Sequence, residues 1–247
     1  MRRTIAVLAV TALMLTVPAV ADVGYYATVS HNETGVSPAL TMNVYAPGFA
    51  GGVNAYVGKY RWDLREPYTA GDPNPYGMQG LGDIERWGFC IEMQYSDAWQ
   101  TYKVIELAAA PIPSGPEGQP MGATKADYIR ELWSLHIADT TTNQGAAAFQ
   151  AAVWEIVYED AQAWNLNTWN PTNLPTNSSV MVANTTVGDL ANLWLSQLDG
   201  VGPRANNLVA LSSQGYQDYV VEIPAPGAIV LGLIGLGIVG KFMRRYA

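Results

Sequence analysis

The sequence predicts an α+β domain, namely a β-sandwich or barrel-like β-rich domain with an inserted layer of about three helices. Three observations predict it. The first part of the chain alternates short β-rich segments with Gly, Pro and Asn turns. A helical period then takes over, and strand character returns near residue 222. Strands that bracket helices are typical of an α+β fold.

The predicted strands are short and bounded by turn residues, as expected for antiparallel sheets. They lie at 24–30, 40–45, 52–60, 88–93 and 102–107, and after the helices at 207–211 and 216–222.

The helical layer is predicted from apolar spacing. Apolar residues recur three and four positions apart between Ala126 and His136, which predicts the first helix. Further helices are expected at 146–159 and 187–198. A loop containing Trp164 and Trp169 lies between these two.

The N-terminus has the three regions of a secretory signal peptide. Arg2 and Arg3 precede an apolar run at 5–17, and Ala19 and Ala21 provide small residues before a cleavage site after Ala21. The run is short for a membrane span, for which about 20 residues are needed. We therefore expect residues 1–21 to be removed and the protein to be exported.

The C-terminus is predicted to hold a short membrane helix. Pro224, Ala225 and Pro226 precede an apolar stretch at 227–240, and the chain then ends in a basic cluster formed by Lys241, Arg244 and Arg245. As a helix, the stretch covers about 21 Å of a hydrocarbon core about 30 Å thick. The positive-inside rule leaves the basic cluster in the cytoplasm and the preceding residues outside.

This tail resembles the PEP-CTERM sorting signals of bacteria that make extracellular polysaccharide. Those signals contain a Pro-x-Pro motif, a short membrane segment and terminal arginines, although Ala225 stands where the family has Glu. The resemblance implies an exosortase-type processing enzyme as a partner and a place at the cell surface or in the extracellular matrix. An ordinary C-terminal anchor is the alternative. The predicted divisions are a signal peptide at 1–21, an exported module at 22–222 and a sorting signal at 223–247.

The charge of the exported part excludes one class of partner. The chain has 13 Lys and Arg against 21 Asp and Glu. Five of the basic residues and none of the acidic ones lie in the two terminal segments, so the exported part is strongly acidic. An acidic surface argues against binding to nucleic acid. Cys90 is the one cysteine, which excludes an internal disulfide and a cysteine-rich zinc site.

Two motifs in the exported part resemble the thioester domain of bacterial surface adhesins. The first is Phe89-Cys90-Ile91-Glu92 on a predicted strand. The second begins with Phe149 and Gln150 and continues through Ala152, Val153 and Trp154 on a predicted helix. The family has a Cys in a strand and a downstream Thr-Gln-x-Ala-Ile-Trp helix, so Phe149 replaces the usual threonine.

The resemblance implies a thioester between Cys90 and Gln150. The Cys thiolate attacks the Gln side-chain carbonyl and ammonia leaves, giving a bond that a surface amine or hydroxyl can open. Such a site needs a held geometry and shelter from water, for which Trp87, Phe89, Phe149 and Trp154 are the expected walls. The implied function is adhesion to a surface ligand or extracellular polysaccharide, with at most one acylation per molecule and no metal or cofactor.

Three other interpretations remain open. Cys90 and Gln150 are compatible with a plain structural role, because free cysteine is usually buried. A Cys-His hydrolase would use Cys90 with His136 or His31 as its base. A non-covalent polysaccharide-binding module would use Tyr158, Trp164 and Trp169 as a stacking surface.

Overall fold

The structure is a computed structural model that describes residues 23–28, 36–46, 52–65, 84–93, 99–112, 119–159, 164, 167–168 and 180–222. The predicted signal peptide at 1–21 and the predicted sorting signal at 223–247 lie outside these residues. None of the helices in the described ranges has the length and apolar character needed to cross a membrane.

Nine strands and three α-helices make up the described part of the chain. The first five strands precede the helices and are β1 (Val23–Thr28), β2 (Val36–Tyr45), β3 (Val53–Arg65), β4 (Ile84–Cys90) and β5 (Trp99–Glu106). The helices and remaining strands are α1 (Gly122–His136), α2 (Asn143–Tyr158), β6 (Asn167–Thr168), β7 (Met181–Val182), α3 (Thr185–Leu195), β8 (Leu208–Ser212) and β9 (Tyr219–Glu222). The predicted mixture of strands and helices is confirmed.

The strands belong to one sheet that closes on itself. Its order is β1-β5-β8-β9-β4-β3-β2-β7-β6, and β1 also pairs with β3. Six strands therefore form a ring of pairings, while β2, β7 and β6 extend from β3. Among the described pairs, β6–β7 alone is parallel. Closure removes the free edges of the six ring strands.

The three helices follow β5 and precede β8, as the sequence predicts. Two of them begin at a side-chain cap. Thr142 accepts a hydrogen bond from the Gly145 amide at 3.0 Å before α2, and Asn184 accepts one from the Val187 amide at 3.2 Å before α3. Gly145 has no room for a side chain, because an added Cβ would lie 2.1 Å from the Asp139 carbonyl oxygen. These contacts fix where the two helices begin.

Helix α2 is the central helix of the domain. Every residue from Gly145 to Tyr158 is buried, so α2 lacks the single apolar face of a surface helix. It contacts β2, β3 and β4 on the sheet and both other helices. Its five alanines within 146–152 allow the sheet backbone to approach closely. A polar side chain on α2 therefore has to find its partner inside the protein.

The two faces of β4 have different surroundings. Phe89 points to the helices, with its ring centroid 4.4 Å from that of Phe149 on α2. Cys90 points to the opposite face, because successive strand residues alternate. Tyr219 of β9 lies opposite Cys90 in the register, so its side chain shares that face with Cys90. The cysteine thus lies inside the ring of strands rather than under the helices.

Candidate functional site

Cys90 is the last residue of β4. The sequence predicted a strand through Met93, but the chain bends at Ile91 and that prediction is wrong by three residues. The registered pairs between β3 and β4 also end early, at Tyr60–Gly88. Cys90 therefore lies two residues beyond the last registered β3–β4 pair.

The backbone polar groups of Cys90 face away from β9. The Ile91 amide donates to the Asp218 carbonyl at 2.8 Å, which makes Cys90 and Tyr219 a pair without hydrogen bonds between them. The N–H and C=O of Cys90 consequently point to the β3 side. A buried peptide group in that position needs another partner.

Gln150 supplies that partner. The Cys90 amide donates to Gln150 Oε1 at 2.8 Å, and Gln150 Nε2 donates to the Cys90 carbonyl at 2.8 Å. Both residues are fully buried. The two bonds fix the orientation of the carboxamide, because only one arrangement of its O and N satisfies both groups. The structure thus brings together the cysteine and glutamine that the sequence singled out.

Phe149, which precedes Gln150 on α2, is surrounded by other aromatic residues. The ring is fully buried, and its centroid lies 4.4 Å from that of Phe89 and 5.7 Å from that of Trp133. Trp194 approaches from α3, with a centroid separation of 6.5 Å. An aromatic cluster therefore packs around the middle of α2.

The other expected walls of the site divide into two groups. Ala152 and Trp154 are buried on α2, as the sequence interpretation requires. Trp87 is 37% exposed and lies under the Lys59 ammonium, which is 5.6 Å from the ring centroid. Trp87 is therefore a surface residue rather than a wall. Trp133 of α1, for which the sequence predicted no role in the site, takes part in the aromatic cluster with Phe89 and Phe149.

The thiol of Cys90 has one polar neighbour that the sequence did not reveal. Tyr60 lies opposite Gly88 in the register, so Tyr60, Gly88 and Cys90 share a face of the sheet. Burial raises the pKa of the Cys90 thiol well above its ordinary value, and the hydrogen bond with Tyr60 opposes that increase.

Two carboxyl groups lie next to this site. The Asp218 amide donates to Glu92 Oε1 at 3.2 Å, and the Asp218 carboxylate accepts from Ser212 Oγ and from the Ser213 amide. Burial, followed by the charge of Asp218, raises the pKa of Glu92 to about 7. Burial raises the pKa of Asp218 to about 6. Perturbed groups gathered in one place are typical of functional sites, although structural networks produce them too.

Of the two histidines that could serve as the base of a Cys-His hydrolase, the one in the described residues has other partners. His136 contacts Asp139 through Nδ1 at 3.2 Å and stacks on Trp194, and its Nε2 has no hydrogen-bond partner among the described residues. It is therefore not hydrogen-bonded to Cys90. His31 lies outside the described residues.

The two described residues that were expected to stack on sugars, Trp164 and Tyr158, are both buried. Trp164 is 9% exposed and packs edge-on against Tyr128, so it belongs to the buried core. Tyr158 is buried, and its hydroxyl accepts from the Met93 amide at 3.1 Å. Trp169 lies outside the described residues.

No family model, curated protein or solved structure matches this chain. Within the part that the structure describes, no group of three or more His, Cys, Asp or Glu residues is arranged to hold a metal ion. The contact between Cys90 and Gln150 therefore carries the functional argument.

Proposed function

We propose that this protein is an exported surface or matrix protein that attaches covalently to its target through a thioester between Cys90 and Gln150. The observation that carries the proposal is the pair of hydrogen bonds between the Gln150 carboxamide and the Cys90 backbone, both at 2.8 Å and fully buried. These bonds hold the electrophilic carbon of Gln150 against the residue that bears the thiol. Keeping the carboxamide beside the residue that bears the thiol lowers the entropic cost of bringing the sulfur to the carbonyl carbon.

Formation of the bond exchanges an amide for a thioester. The Cys90 sulfur attacks the Gln150 side-chain carbon, a C–S bond forms, the C–N bond breaks, and the nitrogen leaves as ammonia with the thiol proton. The Cys90 N–H already donates to Gln150 Oε1. Because the same oxygen gains negative charge as the sulfur adds, this donor stabilises the intermediate.

Burial lowers the reactivity of the free Cys90 thiol and protects a thioester formed from it. The high pKa of the Cys90 thiol keeps it neutral near pH 7, so it is a poor target for oxidants and alkylating agents in solution. The same exclusion of water protects a thioester against hydrolysis. An amine or hydroxyl of the target then takes the acyl group of Gln150, which leaves an amide or ester bond and a free Cys90 thiol.

The proposed place of action follows from the two ends of the chain. The signal-like segment at 1–21 and the Pro-Ala-Pro tail with its basic cluster support export followed by attachment to the membrane or processing by an exosortase-type enzyme. The acidic exported part suits an extracellular surface ligand or polysaccharide rather than nucleic acid. The reaction consumes the thioester, so each molecule acts once.

Intact-mass measurement of the full-length protein tests this proposal. We expect a mass lower than the sequence by one ammonia, in addition to any loss from terminal processing. Cys90→Ala and Gln150→Ala should both restore the full mass. Gln144→Ala is the matched control, because Gln144 is exposed on the first turn of α2. A wild-type protein with the ammonia retained would reject the covalent function.

A further inference from the structure

The environment of the Cys90 sulfur points to a group that acts when the thioester is opened. In the resting protein, the Tyr60 hydroxyl donates to the Tyr56 carbonyl at 2.6 Å. The hydrogen bond with Tyr60 opposes the burial-induced rise in the pKa of the Cys90 thiol, which is the effect expected when the hydroxyl donates to the sulfur. Once Cys90 is acylated, its sulfur has no proton to donate.

We propose that Tyr60 is the general acid that protonates the Cys90 sulfur when a target amine opens the thioester. This inference rests on the proposed function. The amine nitrogen bonds to the Gln150 carbon, the C–S bond breaks, and the electron pair of that bond stays on sulfur. The Tyr60 hydroxyl turns from the Tyr56 carbonyl and gives its proton to that sulfur. Solvent returns to Tyr60 the proton that the amine loses.

The position of Tyr60 suits this role. It lies on β3, beside the last registered pair with β4, and its side chain is on the face that holds Cys90. Tyr60 is partly exposed, whereas Cys90 is fully buried. Its hydroxyl group therefore connects the buried sulfur with the solvent side of the sheet, where Tyr56 is 61% exposed.

The chemistry of the buried sulfur requires such a donor. A thiolate that leaves into a water-excluded site carries an uncompensated charge, which is expensive in a medium of low polarity. Burial raises the pKa of the Tyr60 hydroxyl well above its ordinary value, so the group keeps its proton at neutral pH. A protonated phenol beside the leaving atom lowers the barrier by general acid catalysis.

The test compares full-length wild-type protein with the Tyr60→Phe variant. Both are incubated with methylamine, and the gain in intact mass gives the rate of thioester opening. Both proteins should start with one ammonia missing, and opening should be about a hundredfold slower in Tyr60→Phe. The wild-type rate should fall in deuterated water, whereas the variant should show a smaller solvent isotope effect.

Tyr56→Phe is the matched control, because it removes an exposed hydroxyl and keeps the backbone carbonyl that accepts from Tyr60. It should open at the wild-type rate. If wild-type protein retains its ammonia, the proposed function and this inference both fail. If wild-type protein lacks ammonia and Tyr60→Phe opens equally fast, this inference alone fails. A Tyr60→Phe protein that never loses ammonia also contradicts a role confined to opening.

Discussion

The Gln150 carboxamide occupies the position of a neighbouring strand for Cys90. Its two hydrogen bonds, each 2.8 Å long, satisfy the N–H and C=O that point to β3 beyond the last registered β3–β4 pair. A helix side chain thus completes a sheet from inside the core. In the unreacted protein the arrangement has consequences for stability, and formation of a thioester has further consequences, because the nitrogen that donates to the Cys90 carbonyl then leaves as ammonia.

Removal of the Gln150 side chain should destabilise the fold. Gln150→Ala leaves two buried backbone groups of Cys90 without their partners, and each unsatisfied group costs about 1–3 kcal/mol. We expect the free energy of unfolding, measured by urea denaturation, to fall by about 2–5 kcal/mol. Gln144→Ala should change it by less than about 0.5 kcal/mol, because that side chain is exposed. Equal stability of the two variants would show that the Gln150 bonds contribute little.

Replacement of Phe149 by threonine should destabilise this protein. Phe149→Thr removes a fully buried ring from contact with Phe89 and Trp133 and adds a hydroxyl group. We expect a loss of about 3–5 kcal/mol in the free energy of unfolding, as for other large-to-small changes in cores. Phe149→Leu, which keeps the site apolar, should lose less. Higher stability in Phe149→Thr than in Phe149→Leu would contradict the packing explanation.

Stability should fall as pH rises from about 5 to about 8. The pKa values of Glu92, at about 7, and Asp218, at about 6, lie above those of the unfolded chain. In this range the folded state therefore binds more protons than the unfolded state, and ionisation of these groups favours unfolding. The expected loss is on the order of 2–3 kcal/mol by urea denaturation at each pH.

The variant Glu92→Gln tests the source of that pH dependence. It keeps an oxygen that accepts from the Asp218 amide and removes one titrating carboxyl group. We expect a flatter dependence of the free energy of unfolding on pH in this variant. A slope equal to that of the wild type would assign the effect to other groups.

Alkylation of the folded and the unfolded protein should distinguish a free buried thiol from a thiol that is bound in a thioester. Cys90 is fully buried and its thiol pKa is raised, so iodoacetamide should not label it in the folded wild-type protein. Treatment with methylamine and then urea should expose one thiol per molecule. Urea alone, with rapid labelling, should expose fewer, because an intact thioester survives the unfolding step. Full labelling in urea without methylamine would indicate a plain buried cysteine.

The sequence predicted the main elements because their patterns are local. The apolar spacing of α1 and the apolar runs of β8 and β9 depend on neighbours a few residues away. The pairing of Cys90 with Gln150 followed from a resemblance between motifs, and the structure places the two residues in contact. The remaining features depend on contacts between distant parts of the chain.

Because they depend on such distant contacts, the end of β4 and the position of Tyr60 beside Cys90 could not be predicted from the sequence. Pairing of β4 with β3 stops at Gly88, two residues before the strand ends, and register between strands is not visible in one strand alone. Tyr60 lies next to Cys90 through the same register. The two-residue strands β6 and β7 exist only through their pairing with each other and with β2. Trp87 shares the face of Phe89, but no sequence pattern showed that the helices leave it half-exposed.

The central claim is tested most directly by locating the residue of the full-length wild-type protein to which isotope-labelled methylamine becomes attached. After incubation, proteolysis and mass spectrometry should locate one methylamide on the side chain of Gln150, with a free thiol appearing on Cys90 of the same molecules. Cys90→Ala should take up none. A wild-type protein that keeps an unmodified Gln150 amide and takes up no methylamine would show that the two residues are a structural contact and that attachment proceeds by other means.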